Sequence, residues 1–159
     1  MLTPNQTKAK PAARAARGRL FAIVASQYNA PYVDAMLEAA LAELKSARAR
    51  TLVVRVPGAY EIPIVADRLA SRRTGRPAAI LCLGVILRGA TTHAAHIGEA
   101  VSRALMEVQV ARHVPVIHEV LLLENEAQAR ERCLGTKYNR GGEAAGTAIA
   151  MAEVMRSLG

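Results

Sequence analysis

The run from Ala78 to Leu87 (AAILCLGVIL) holds no charged side chain, and Arg88-Gly89 ends it abruptly. It is far shorter than the roughly 20 residues a membrane span needs. Its lack of polar alternation predicts a strand buried on both faces, which requires helices on each side of a sheet. The turn Gly89-Ala90-Thr91-Thr92 follows, and a helical pattern begins at His93. In α/β proteins a ligand sits just outside a strand's carboxyl end, where such a turn leaves backbone N–H groups unshielded. The start of the next helix carries partial positive charge that suits phosphate. His93, in its first turn, is the side chain best suited to moving protons near neutral pH. Taken alone, the stretch also fits an ordinary strand-to-helix turn with a surface histidine.

The remaining chain repeats this alternation. Leu20 to Ala25 reads as a strand, and Asn29 as the cap of a helix with Pro31 in its first turn. Val33, Met36, Leu37, Ala40, Leu41 and Leu44 keep helical spacing through about Ala47. Leu52 to Val56 is a second strand closed by Pro57-Gly58. Ile62, Val65 and Leu69 mark a helix ending near Thr74-Gly75. After the central strand, Ala79 to Leu87, the positions Ile97, Val101, Leu105 and Val108 give the next helix its buried face. Val116 to Leu123 is a fourth strand, and Asn125 with Gln128 forms a capping-box pattern for a helix through about Cys133. A Gly141-Gly142 turn starts the last helix, with Ala144, Ala148, Met151 and Met155 on one face. The expected fold is α/β, a mainly parallel sheet covered on both faces, in one domain over residues 20–159.

The formal charge of +8 is unevenly placed. Residues 1–19 carry Lys8, Lys10, Arg14, Arg17 and Arg19 with no acid, so +5 of the total lies in a Pro/Ala/Arg segment without hydrophobic periodicity. That segment is expected to be a disordered, solvated tail. The alternative is salt-dependent contact with nucleic acid or another anionic surface. The rest of the chain shows no stripe of basic and aromatic residues of the kind single-strand binders use. Cys82 and Cys133 have no CxxC spacing and no His/Cys cluster, so they are expected as reduced, buried thiols of a cytoplasmic protein without a metal. No apolar run reaches membrane length, and the basic N-terminus lacks the apolar core of a secretory signal. Only 3% of residues are aromatic, so the core must be aliphatic, and an alanine-rich surface suits oligomerisation.

In a doubly wound sheet the turns after the strands gather at one edge. That edge is expected to collect Tyr28-Asn29, Ala59-Tyr60-Glu61, the Gly89–His93 turn and the segment after Leu123. Tyrosine faces with Asn29 and a carboxylate suit a flat, hydrogen-bonding heterocycle, and the Gly89 turn suits an anion. Each tyrosine alone could equally cap the edge of the core. No GxGxxG or GxxxxGK[ST] is present, which argues against a Rossmann dinucleotide site and a Walker P-loop.

Val56-Pro57-Gly58-Ala59-Tyr60-Glu61-Ile62-Pro63 resembles the VPGA(F/Y)EIP motif of the lumazine synthase family, and Leu83–His93 is similar to its LGxVIRGxTxH motif. Tyr28-Asn29 resembles the family's aromatic-Asn pair, Gln128–Arg132 its QAxxR helix and Asn139-Arg140-Gly141 its NKG-like turn. The resemblance runs from about Leu20 to Leu158. It implies a flavodoxin-like three-layer α/β/α sandwich with a four-stranded parallel sheet. It also implies a cofactor-free step of riboflavin biosynthesis. In it, 5-amino-6-(D-ribitylamino)uracil and L-3,4-dihydroxy-2-butanone 4-phosphate condense to 6,7-dimethyl-8-ribityllumazine, releasing phosphate and water. By this resemblance Tyr28 stacks on the pyrimidine, while Asn29, Ala59, Tyr60 and Glu61 hold the ring and ribityl chain. Val85, Ile86 and Leu87 offer backbone hydrogen bonds, and Gly89, Ala90 and Thr91 bind the butanone phosphate with Arg132 from an adjacent subunit. His93 shuttles protons, and Arg88 ties the turn to a neighbouring chain segment or subunit. The family's assemblies are pentamers with sites between neighbours, many of them built into icosahedral shells. The absence of a clear insertion before the last helix favours a shell here.

The chain departs from the family pattern in places. Where the PVxFG segment places a phenylalanine that closes over a neighbour's pyrimidine, this chain has His118, followed by Glu119. Arg140 replaces the usual lysine of the NKG turn, keeping charge but not point-like geometry. Lys137 aligns with the family text only through a one-residue shift and is assigned no role, and His96 and His113 are read as surface or satisfied polar residues. Two other classes stay open: a non-catalytic flavin or pyrimidine binder, and a shell protein whose basic tail binds nucleic acid.

Overall fold

The computed structural model describes residues 12–159. The described chain begins with the short helix α1 (Ala12–Ala16), followed by β1 (Leu20–Ser26), α2 (Ala30–Ser46) and β2 (Arg50–Val56). A 3₁₀ turn at Ala59–Glu61 leads into α3 (Ile62–Ala70). Next come β3 (Ala79–Leu87), α4 (His93–Arg112), β4 (Val116–Leu123), α5 (Glu126–Cys133) and α6 (Arg140–Leu158).

All strand pairings are parallel, in the order β2-β1-β3-β4. Side chains alternate across the sheet, so each strand supplies two cores. Phe21, Ile23, Leu81 and Leu83 face α2 and α6 in one core, together with Val33, Met36 and Leu44. Val24, Ile80, Cys82 and Val120 face α3 and α4 in the other, with Ile62, Val101 and Leu105. This is the flavodoxin-like three-layer α/β/α arrangement. β3 has its first seven residues buried because it is central and covered twice. Gly84 lies within it, where an added Cβ would meet Ile62, Val120 and Ser26 at 3.3 to 3.4 Å. Gly141 marks the closest approach of α6 to α2. A Cβ there would collide with the backbone carbonyl of Met36, so only glycine lets the two helices meet.

Several expectations need correction. Ala12–Ala16 is helical rather than unstructured, and Ala16 is buried against the α2/α6 core. Alanine favours helix, and docking supplies the stability that five residues cannot. The part of the expected tail over residues 1–11 lies outside the described residues. β2 starts at Arg50, two residues early, because it is an edge strand whose exposed positions tolerate polar side chains. α3 ends at Ala70, and Gly75 turns the following loop with φ +63. α6 begins at Arg140, so Gly141 and Gly142 lie inside its first turn rather than before it.

Asn29 does not cap α2 through its side chain. It adopts a left-handed conformation (φ 57, ψ 40), and its carbonyl accepts from Tyr32 and Val33 instead. Asn125 does cap α5, accepting from Gln128 N at 3.0 Å, but Gln128 reaches back to Glu124 N rather than to the cap residue.

Candidate active site

Strand order reverses direction between β1 and β3, since the chain leaves β1 for one edge and β3 for the other. The carboxyl ends of two such strands part into a crevice. A cleft of about 1000 Å³ opens there. β1 delivers Tyr28 and Asn29 to it, the β2 exit delivers Gly58, Ala59, Tyr60 and Glu61, and β3 delivers Val85, Ile86 and Leu87. Gly89, Thr91 and His93 complete one wall with the first turns of α4.

The two tyrosines do not cap the core: Tyr28 is 74% and Tyr60 64% exposed, leaving ring faces open to the cleft. Tyr28 is anchored by its backbone N–H on Pro57 O at 3.0 Å, which joins the β1 and β2 exits. Asn29 Nδ2 donates to Val85 O at 2.7 Å, leaving its Oδ1 as the free end. Glu61 accepts from Gly58 N at 2.9 Å with one carboxylate oxygen and keeps the other for a ligand.

Opposite the rings, Thr92 precedes the twenty-residue α4, and His93 N donates to Thr91 Oγ1 at 3.4 Å. Among the described residues the backbone N–H groups of Gly89, Ala90, Thr91 and Thr92 meet no acceptor. Unsatisfied donors at the positive end of a long helix form an anion seat. His93 is exposed beside them. Arg88 anchors the bend to the β4 exit, through its N–H to Leu123 O at 2.8 Å and an ion pair with Glu124 at 2.9 Å. That is the tying role expected of it, made within one chain.

The remaining expected residues lie elsewhere. Ala90 is exposed in the bend but does not line the cleft, and the segment after Leu123 is displaced because β4 is the far edge strand. His118 is exposed in β4 on the α4 side, with Nε2 at 2.8 Å from Ser102 Oγ. Arg132 is exposed in the last turn of α5 and makes no ion pair among the described residues. Neither enters the cleft of its own chain.

Sequence reasoning reads His96 as a surface or satisfied polar residue, yet it lines the cleft one turn beyond His93. The i,i+3 spacing was the available signal. Sequence reasoning passed over Glu119, a carboxylate with 8% side-chain exposure held by Arg140 through two bonds of 2.9 and 3.1 Å. Arg140 reaches Glu143 as well, at 2.8 Å. Burial pushes the Glu119 carboxyl above its ordinary range, against the pull of Arg140 and Arg132. Among the described residues no three His, Cys, Asp or Glu side chains cluster as a metal site, and no helix is long and apolar enough to cross a membrane.

Fold and cleft together define a doubly covered α/β protein with open tyrosine rings and unsatisfied backbone N–H groups gathered at the carboxyl edge of its sheet. The family described as 6,7-dimethyl-8-ribityllumazine synthase matches residues 18–156, and the chain belongs to that family. It is 40% identical over 141 residues to the 6,7-dimethyl-8-ribityllumazine synthase of Stenotrophomonas maltophilia (strain R551-3), covering 87% of this chain and 90% of that one. The enzymes of the same description from Xanthomonas euvesicatoria pv. vesicatoria (strain 85-10) and Xanthomonas oryzae pv. oryzae (strain PXO99A) are 38% and 37% identical over the same shares.

Proposed function

We propose that this chain is the transferase of riboflavin biosynthesis that condenses 5-amino-6-(D-ribitylamino)uracil with L-3,4-dihydroxy-2-butanone 4-phosphate to give 6,7-dimethyl-8-ribityllumazine, phosphate and water. The observation that carries this reading is the placement of the Tyr28 ring and the Gly89–His93 bend in one cleft. Tyr28 stacks on the pyrimidine, with Asn29, Ala59, Tyr60 and Glu61 holding its edge and the ribityl chain. Val85, Ile86 and Leu87 lie beside the ring and present backbone to it. The bare N–H groups of Gly89, Ala90 and Thr91 take the phosphate.

Three physical effects then drive the reaction. Holding amine and ketone together replaces an encounter with a reaction inside one complex. Phosphate departs more readily when N–H groups and a cation meet its growing charge. His93 moves protons during imine formation, phosphate loss and ring closure.

Arg132 and His118 join the site from a neighbouring subunit, Arg132 on the phosphate and His118 over the pyrimidine. Exposed apolar side chains on α4 and β4 support association: Met106, Val110 and Leu122 are 58%, 63% and 41% exposed. The assembly is a pentamer, built further into an icosahedral shell, and its size is read by light scattering. Particles no larger than two pentamers contradict the shell. The buried free thiols Cys82 and Cys133 support a cytoplasmic location.

Turnover of the two substrates to a fluorescent lumazine tests the activity. A chain that binds the pyrimidine but yields no product is a binder and not this enzyme.

A further inference from the structure

The amino edge of the sheet, opposite the proposed reaction site, carries a second cleft of about 500 Å³. Arg19 enters it ahead of β1, Arg50 from the start of β2, Arg76 from the loop before β3 and Arg156 from the last turn of α6. No Phe, Tyr or Trp side chain lines it, and the imidazole of His113 is its one ring. Arg156 is neutralised by Glu153 through bonds of 2.6 and 2.8 Å. The other three guanidinium groups are largely uncommitted among the described residues. Arg19 gives one bond to Ala152 O and Arg76 one to Arg112 O, while the Arg50 side chain has no ion pair or hydrogen bond among the described residues.

Each guanidinium carries five N–H donors in a planar fork matched to phosphate oxygens. Arg48, Arg72 and Arg73 stand exposed in the loops of the same edge and raise the local positive potential. One competing account is that these cations only complement the negative ends of α2, α3, α4 and α6, which converge here. Arg76 does meet the end of α4 through Arg112 O, but Arg50 lies in a strand and its side chain bonds no helix carbonyl, so helix ends do not account for the whole cleft.

We propose that this cleft is a binding site for a chain of two or more linked phosphates, either inorganic or the phosphate tail of a nucleotide. Its volume falls in the range of small-ligand sites. The spread of Arg19, Arg50 and Arg76 over three adjacent strand entries asks for an anion longer than one phosphate. A nucleotide base would find one ring there, the imidazole of His113.

Calorimetric titration of the full chain with inorganic triphosphate, with ATP and with monophosphate tests the site. Triphosphate and ATP are expected to bind, with monophosphate weaker. Equal affinities assign an inorganic chain, and tighter ATP assigns a nucleotide. The double variant Arg50→Ser/Arg76→Ser is expected to weaken both by about tenfold or more while lumazine formation is unchanged. Arg50→Glu alone serves if the double variant does not fold. Arg132→Ala, which alters the proposed reaction site, is expected to leave triphosphate binding intact. The proposal is overturned by absent triphosphate binding, by binding that survives the cleft substitutions but is lost in Arg132→Ala, or by a polyglutamate peptide binding equally well. Because turnover is read separately, failure here leaves the assignment of the reaction untouched.

Discussion

Asn29 and Val85, 56 residues apart in sequence, are joined by a 2.7 Å hydrogen bond from Nδ2 to the backbone carbonyl. The bond spans the exits of β1 and β3, where the sheet divides. It therefore holds the Tyr28 ring at a set distance from the Gly89–His93 bend. The left-handed backbone of Asn29 (φ 57) aims the side chain at that carbonyl. Local sequence reads Asn29 as a helix cap, while its structural role is to set the width of the cleft.

Two substitutions separate the bond from the backbone. Asn29→Gly loses the hydrogen bond but accepts the left-handed conformation, and it is expected to cost about 1 kcal/mol. Asn29→Ala loses both, for about 2 kcal/mol in total. Urea denaturation of the two variants measures the difference. Equal midpoints would mean that the conformation carries no strain.

Glu119 and Arg140 form the ion pair that fastens the start of α6 to β4. Removing one partner of a buried pair costs about 3–5 kcal/mol, and Arg140 is 37% exposed, so Glu119→Ala is expected to cost less, about 2 kcal/mol. The pH dependence has a definite sign. Burial lifts the folded-state pKa of Glu119 above its unfolded value, so the fold binds that proton more tightly. Its contribution is full below the ordinary carboxylate range and is lost as pH rises through the raised value. Glu119→Gln should remove that decline, seen as a flatter curve of unfolding free energy against pH just above the carboxylate range. Parallel curves for the two proteins would contradict it.

The proposal that Arg132 reaches a neighbour's site makes a mixing prediction. His93→Ala is expected to lower turnover by roughly one to three decades, since positioning survives the loss of proton transfer. Arg132→Ala is expected to weaken the butanone phosphate by about 2 kcal/mol and the pyrimidine less. Co-assembled one to one, the two variants should regain about a quarter of full activity, because that share of random neighbours pairs an intact His93 with an intact Arg132. No recovery in verified mixed assemblies would place both residues in one chain's site.

The sequence made central features legible and peripheral ones hard to read. β3 falls where its apolar run predicts, because burial on both faces leaves a run without alternation, and β4, though an edge strand holding His118 and Glu119, keeps the predicted bounds Val116–Leu123. The start of β2 escapes an apolar reading because its first positions, Arg50 and Thr51, are polar and exposed. The glycine turn, the tyrosines and His93 could be placed at one edge by topology alone. The Glu119–Arg140 pair could not, since charge pairing across 21 residues has no local pattern. Likewise α1 depends on Ala16 docking into the α2/α6 core, a tertiary contact that outweighs the polar look of its segment.

The most direct test of the central claim is the position of a ribityl-pyrimidine analogue in a crystal of this protein soaked with it. The ring should lie on Tyr28 with its far edge toward the β3 exit, and added phosphate should occupy the Gly89–Thr92 N–H groups next to His93. An analogue bound on the opposite edge of the sheet, or phosphate held away from that bend, would contradict the account.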